Sequence, residues 1–169
     1  MLGANVQEAI NNQINYELFS SYQYLAMAAW CEHEQFTGCA KWLRIQSQEE
    51  YAHAMRLYNF MLARNYMVKL KPIAAPEGQF KSVAELFQKA FDQETKVSGQ
   101  IDALYELAFT EKAFAELVEL EWFITEQVEE EKTAREVAHK FRMVENDPAS
   151  LLDLDRELGA RAPGAAATE

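Results

Sequence analysis

Cysteine is nearly absent from this sequence. Of 169 residues only Cys31 and Cys39 carry a thiol, too few for a four-cysteine zinc or iron–sulfur site, and a reducing compartment disfavours joining them. Both are read as structural. Glycine and proline are also scarce, six and four respectively, which argues against a sheet with many turns and for long uninterrupted helices. No stretch shows sustained strand-like alternation. Basic residues are outnumbered, 16 against 27 acidic ones for a net charge of −11, so the average surface repels a nucleic-acid backbone and cations are the better-matched partners. The plain alternative is an acidic surface that serves only solubility. No segment approaches the roughly 18 apolar residues of a membrane span. The opening "MLGANVQEAINNQINYEL" has neither a basic stretch nor an apolar run of signal-peptide length, so a cytoplasmic protein without a membrane partner is expected.

What is present is apolar content of 49% with 12% aromatic residues, enough for a sizeable core in one all-α domain. A first helix is predicted from Asn5 as N-cap to about His33, with Ile10, Ile14, Phe19, Tyr24 and Met27 among its apolar positions. After "EQFTGCAKW", a second helix opens at Thr37 and Gly38 and runs to about Asn65. The short break makes these two antiparallel neighbours. From Met67 to Lys81, "MVKLKPIAAPEGQFK" carries no periodic pattern. "SVAE" at Ser82 is a capping-box signal for a third helix to about Phe109, and Thr110 is expected to cap a fourth that reaches about Val144.

The patternless linker decides the topology. A helix of about 26 residues is ~39 Å long, and about 15 extended residues span up to ~50 Å, enough to return along the whole bundle. The second and third helices are then parallel, in a four-helix bundle with one long crossover and two short turns. A short fifth helix follows, with Asp147 as N-cap, Pro148 first and Gly159 as stop. Its stripe of Leu151, Leu154 and Leu158 has no evident place in a completed four-helix core, so packing against another subunit is expected. The domain is drawn at 1–159, and the tail "RAPGAAATE" is expected to be disordered.

Each main helix sends a carboxylate inward. Glu17 lies seven residues from both Ile10 and Tyr24, and Glu50 shares a stripe with Leu43, Ser47, Ala54, Leu57 and Met61, with His53 beside it. Phe87, Glu94 and Ile101 repeat the spacing in the third helix. Phe123, Glu130 and Val137 repeat it in the fourth, where Gln127 comes one turn before Glu130. One inward carboxylate is explained by protonation or a basic partner. Four in one core, with no Lys or Arg on their stripes, call for bound cations, because each unpaired buried charge costs several kcal/mol. Four Glu and one His without cysteine suit Fe(II) or Mn(II), and two divalent ions balance four carboxylates. Glu50 is placed to bridge both ions, with His53 at i+3 ligating one.

These residues resemble the bacterial-type, non-haem ferritins. Ferritin-like di-iron bundles carry a Glu from each of two helices plus Glu-x-x-His from the others. Here Glu17 and Glu94 match the single glutamates and Glu50-x-x-His53 one pair, while the fourth helix has Gln127-x-x-Glu130 as in true ferritins. Bacterioferritins keep the second histidine, and Tyr51 stands where they place the haem-binding methionine, so no haem is expected. Rubrerythrins need a four-cysteine iron site that this chain lacks. The likeness spans about residues 5–159, through "NYELFSSYQYLAMAAW", "QSQEEYAHAMRLYNFM" and "EWFITEQVEEEKTAREV".

The resemblance implies an iron-storage protein that oxidises Fe(II) with oxygen or peroxide at a two-iron ferroxidase centre inside each subunit. Fe(III) mineral would be deposited in a 24-subunit cage. It implies Glu17, Glu50 and His53 around one iron and Glu50, Glu94 and Glu130 around the other, with Gln127 behind them. Glu49, Glu126 and Glu129 match the carboxylates of a nearby third iron. Tyr24 matches the tyrosine beside the centre, which implies a redox or hydrogen-bonding role in catalysis with Glu50 and His53, and Trp122 matches a nearby tryptophan whose expected role is packing. His33 and His139 have no companion ligands and are assigned to the surface. The alternative is a soluble di-iron or di-manganese oxidase on the same bundle, without storage.

Overall fold

A computed structural model describes residues 3–164. Five helices, α1 (Ala4–His33), α2 (Thr37–Ala63), α3 (Val83–Thr110), α4 (Phe114–Val144) and α5 (Pro148–Gly159), account for all the regular structure among the described residues. The chain is an all-α four-helix bundle with one long crossover and a short fifth helix.

α1, α2 and α3 all stop in the same way. Gln35, Asn65 and Lys112 adopt φ of 67°, 58° and 55°. Just after each of them the chain closes a wide turn, from Phe36 N to Cys31 O, Tyr66 N to Met61 O and Ala113 N to Ala108 O. The left-handed residue followed by this bond is a standard helix stop, usually built on glycine. It explains how so glycine-poor a chain makes sharp turns. It also corrects the expected start of α4: Thr110 is the last residue of α3, and Ala113, beyond the left-handed Lys112, takes the N-cap position. Asn5 likewise lies inside α1, which Gly3 precedes, because its amide is engaged elsewhere, donating to Glu111 Oε1 at 2.9 Å. The predicted caps at Ser82 and Asp147 do form, accepting from Glu85 N and Ala149 N.

The crossover runs back along α1, held by three amide side chains. Asn11 Oδ1 accepts from Lys69 N, Asn15 Oδ1 from Lys71 N, and Gln23 both accepts from Glu77 N and donates to Glu77 O. The linker therefore climbs α1 from its first turns toward its end and delivers α3 beside the start of α2, so that α2 and α3 run parallel. Two apolar clusters result. One gathers Tyr24, Met27, Leu43, Phe87 and Phe141; the other gathers Ile10, Leu57, Met61, Ile101 and Phe123. The inward glutamates lie between the two.

α5 packs on its own chain. Leu154 and Leu158 are buried in the first cluster, with Leu151 partly buried against it, so the expected contact of this stripe with another subunit is not needed to cover it. Asp155 closes the contact by accepting from the first amides of α2, Gly38 N at 3.2 Å and Cys39 N at 2.8 Å. A carboxylate at a helix N-terminus is favourable there. The approach is so close that a Cβ on Gly38 would lie 1.8 Å from the carbonyl oxygen of Asp155. Cys31 and Cys39 are free and buried beside it; burial pushes the Cys31 thiol up to about 12 and Cys39 higher still. Of the expected tail, residues as far as Gly164 are described: Arg161 and Gly164 bond Glu49. Positions 165–169 lie outside the described residues.

Candidate metal centre

Each helix of the bundle contributes to a polar layer between the apolar clusters. Glu17 from α1, Glu50 and His53 from α2, Glu94 from α3, and Gln127 and Glu130 from α4 are all buried. Ligand atoms of Glu17, Glu50 and His53 lie within 4.8 Å of one another, as do those of His53, Glu126 and Glu130. His53 is common to both groups. The helical repeat explains the pairing on α2: three residues apart, Glu50 Oε2 and His53 Nδ1 come to 3.6 Å.

The hydrogen bonds inside the layer come from neutral groups. Gln13 Nε2 donates to Glu17 Oε1 at 2.8 Å. Gln46 Nε2 donates to Glu130 Oε2 at 2.6 Å and to Glu50 Oε1 at 3.3 Å. Glu94 accepts from the Tyr24 hydroxyl and, at 2.9 Å, from Gln127 Nε2. Two atoms are left over: Glu17 Oε2 and His53 Nε2 are buried without a hydrogen-bond partner among the described residues. A lone pair in that position lacks a cation or a proton.

Two other buried glutamates have what the central four lack, an arginine partner. Glu116 is paired with Arg64 at 3.2 Å, and Glu49 with Arg161 at 2.5 Å. Among the described residues, the central four have no Lys or Arg as hydrogen-bond or ion-pair partner. Their carboxyls respond accordingly. Burial, and then the neighbouring Glu50, holds Glu17 well above the usual range. Glu50 is pushed the same way by burial and by Glu94 and Glu130. Burial raises Glu94, while burial together with Glu94 raises Glu130 to about 7. Burial and Glu94 also push the Tyr24 hydroxyl upward. Divalent cations would exchange for these protons and relieve the crowding.

The surroundings fix the imidazole. The Trp122 and His53 rings meet edge to face, with centroids 5.4 Å apart, and the Arg56 guanidinium lies 4.2 Å from the centre of the Trp122 ring. An open groove of about 1270 Å³ leads to His53 along α2, bordered by Glu49, Tyr51, Arg56, Trp122 and Glu126. Tyr51 is exposed on it, and His33 and His139 are exposed elsewhere.

The sequence-predicted residues are not all gathered alike. Glu126, assigned by resemblance to the outer iron, reaches the inner group with His53 and Glu130, whereas Glu94 is turned to Tyr24 and Gln127. Glu49 borders the groove, and Glu129 is exposed beside Glu130. Three residues escaped the sequence reading. Gln13 and Gln46 each stand four positions before an inward glutamate, a spacing that places the amide one turn away on the same face. Arg161, in an aperiodic tail, left no such signal.

Comparison with known proteins agrees with the geometry. The family profile described as a Ferritin-like domain matches residues 7–144. The "Bacterial non-heme ferritin" of Staphylococcus aureus (strain USA300) is 35% identical over 161 residues, covering 95% of this chain and 97% of that protein. A "Probable bacterial non-heme ferritin-like protein" of Haemophilus influenzae is 32% identical, covering 94% and 96%. Among solved structures, the open pore ferritin of the hyperthermophilic archaeon Archaeoglobus fulgidus superposes with a TM-score of 0.94 at 37% identity, over 96% of this chain and all of that one. A humanized archaeal ferritin gives 0.95 at 36% identity, over 97% and 99%. A bundle of this topology, with buried carboxylates from all four helices in one polar layer around His53 and with these relatives across nearly its whole length, belongs to the ferritin family, among its bacterial non-haem members.

Proposed function

We propose that this chain stores iron: each subunit binds two Fe(II) ions in the polar layer, oxidises them and passes Fe(III) to a mineral inside a cage of 24 copies. The observation that carries this reading is the layer itself, four buried carboxylates and an imidazole with no basic partner and two orphaned ligand atoms. Glu17, Glu50 and His53 take one ion. Glu50, Glu94 and Glu130 take the other, with Glu126 near enough to join them, and Glu49, Glu126 and Glu129 form an outer acceptor for a third. Each Fe(II) gives up one electron, so a pair supplies the two that take dioxygen to hydrogen peroxide or hydrogen peroxide to water. The mixed carboxylate and imidazole set suits both oxidation states of iron.

The protein's own residues organise this chemistry. Gln13, Gln46 and Gln127 orient all four carboxylates without adding positive charge, and Trp122 packs against the His53 ring. Tyr24, bonded to Glu94, offers a hydroxyl at the edge of the centre for proton or electron transfer. The raised carboxyls give a binding test. Anaerobic calorimetric titration with Fe(II) at pH 6.5 is expected to show two tightly bound ions per subunit, with a heat that depends on the buffer because protons leave as metal enters. Fewer than two ions, or a heat indifferent to the buffer, contradicts the centre as drawn.

A further inference from the structure

Glu49 is held by the segment that follows α5. Arg161 Nη2 donates to Glu49 Oε2 at 2.5 Å, and Gly164 N to Glu49 Oε1 at 3.3 Å, so both carboxylate oxygens are engaged. Arg161 Nη1 donates to Gln46 Oε1 at 2.9 Å, and the guanidinium lies 4.6 Å over the Trp42 ring. Gln46 is the amide whose nitrogen reaches Glu130 and Glu50. The segment after α5 is thus fastened to the groove wall at a residue that also touches the metal centre.

The other arginine paired with a buried glutamate, Arg64 with Glu116, also lies over an aromatic ring, that of Tyr66, but has no hydrogen bond to a residue that touches the metal centre. Glu116 is fourteen positions before Glu130 on α4, about 21 Å along the helix, and does not border the groove. Glu49 does border it, with Glu126 and His53. A guanidinium and a divalent ion cannot share one carboxylate comfortably, since the charges repel and both oxygens are already taken. We propose that Arg161 is a built-in competitor for a divalent cation at Glu49, so that an ion enters the outer acidic site only by displacing the C-terminal segment from Glu49 and Gln46. This rests on the reading of Glu49 as a cation ligand given above. It makes the outer site a weak, transient stop, suited to passing an ion between the centre and the groove.

The test is anaerobic Fe(II) calorimetry on four purified proteins: the parent, Arg161→Gln, Arg161→Lys and, as a control on the other pair, Arg64→Gln. Arg161→Gln removes the competing charge and is expected to bind the last ion at least tenfold more tightly than the parent. Arg161→Lys keeps the charge but not the fork to Gln46 or the stacking on Trp42, and is expected to fall between the parent and Arg161→Gln, while Arg64→Gln stays within about threefold of the parent. A parent that takes up no ion at the inner centre overturns the ferroxidase reading and this one with it. If two ions bind tightly throughout and the last binds no more tightly in Arg161→Gln than in the parent, or equally more tightly in Arg64→Gln, the competitor role alone is overturned.

Discussion

Replacing His53 or Glu50 with alanine is expected to slow the initial aerobic oxidation of Fe(II) about a hundredfold or more, while the fold persists. His53 supplies the only nitrogen ligand of the layer and belongs to both groups of converging ligand atoms. Glu50 faces Glu17 in one group and lies under the field of Glu94 and Glu130 on the other side. Removing either therefore disturbs both proposed iron positions, whereas losing Glu17 leaves the second intact. Folding should tolerate the change, because the large aliphatic and aromatic side chains of the two apolar clusters stay in place, with His53 meeting them at Trp122 and Phe123. Removing a charge from a crowded core relieves repulsion as well. Stopped-flow absorbance gives the rate, and circular dichroism with native mass confirms that the subunit is folded and assembled. Parent-like initial rates in either variant would rule out the assignment of the Glu50 and His53 pair.

The second large effect is on stability against pH in metal-free protein. Glu130 has its carboxyl pushed up to about 7 in the fold, against an ordinary value of 4.5. A carboxyl raised in this direction holds its proton more tightly when folded. Its contribution to stability is complete below pH 4.5 and is lost as pH rises through about 7. The difference amounts to about 3 kcal/mol, so between pH 4.5 and 8 the parent should lose about that much more stability than Glu130→Gln, which cannot ionise. Glu17 and Glu50 are raised for the same reasons and add to the fall in the parent. Denaturant unfolding of chelator-treated protein across this range reads the effect directly. Parallel profiles for parent and variant would show that Glu130 is not strained by its neighbours. Adding a divalent ion at pH 8 should restore what the proton supplied at low pH, since ligand binding to the folded state stabilises by mass action.

Which parts of this were legible in the sequence follows from where periodicity reports burial. The inward glutamates were, because Glu17, Glu50, Glu94 and Glu130 sit on seven-residue repeats of large apolar residues, and a helix must bury whatever shares that stripe. The long crossover was legible as a segment without any period, and its length alone set the parallel pairing of α2 and α3. The helix stops were harder to see. Gln35, Asn65 and Lys112 take a left-handed conformation that sequence patterns associate with glycine, so the sequence points to Thr110 as the cap of α4, three residues before its true N-cap. The docking of α5 was also hidden: it depends on Gly38 and Asp155, 117 positions apart, meeting at a helix N-terminus. Arg161 belongs to the same class, since one arginine among alanines, proline and glycine has no pattern to place it. Local spacing marked the centre, and long-range contact supplied the groups that surround it.

The central claim, storage following oxidation at the carboxylate layer, is tested most directly by loading metal-free protein with Fe(II) in air and measuring native mass and iron retained per subunit on the same sample. The account predicts a large cage that holds far more iron than its binding residues can ligate, as a mineral that stays with the protein through gel filtration. A small oligomer that stops at two irons per subunit would contradict storage and leave an oxidase on a ferritin bundle.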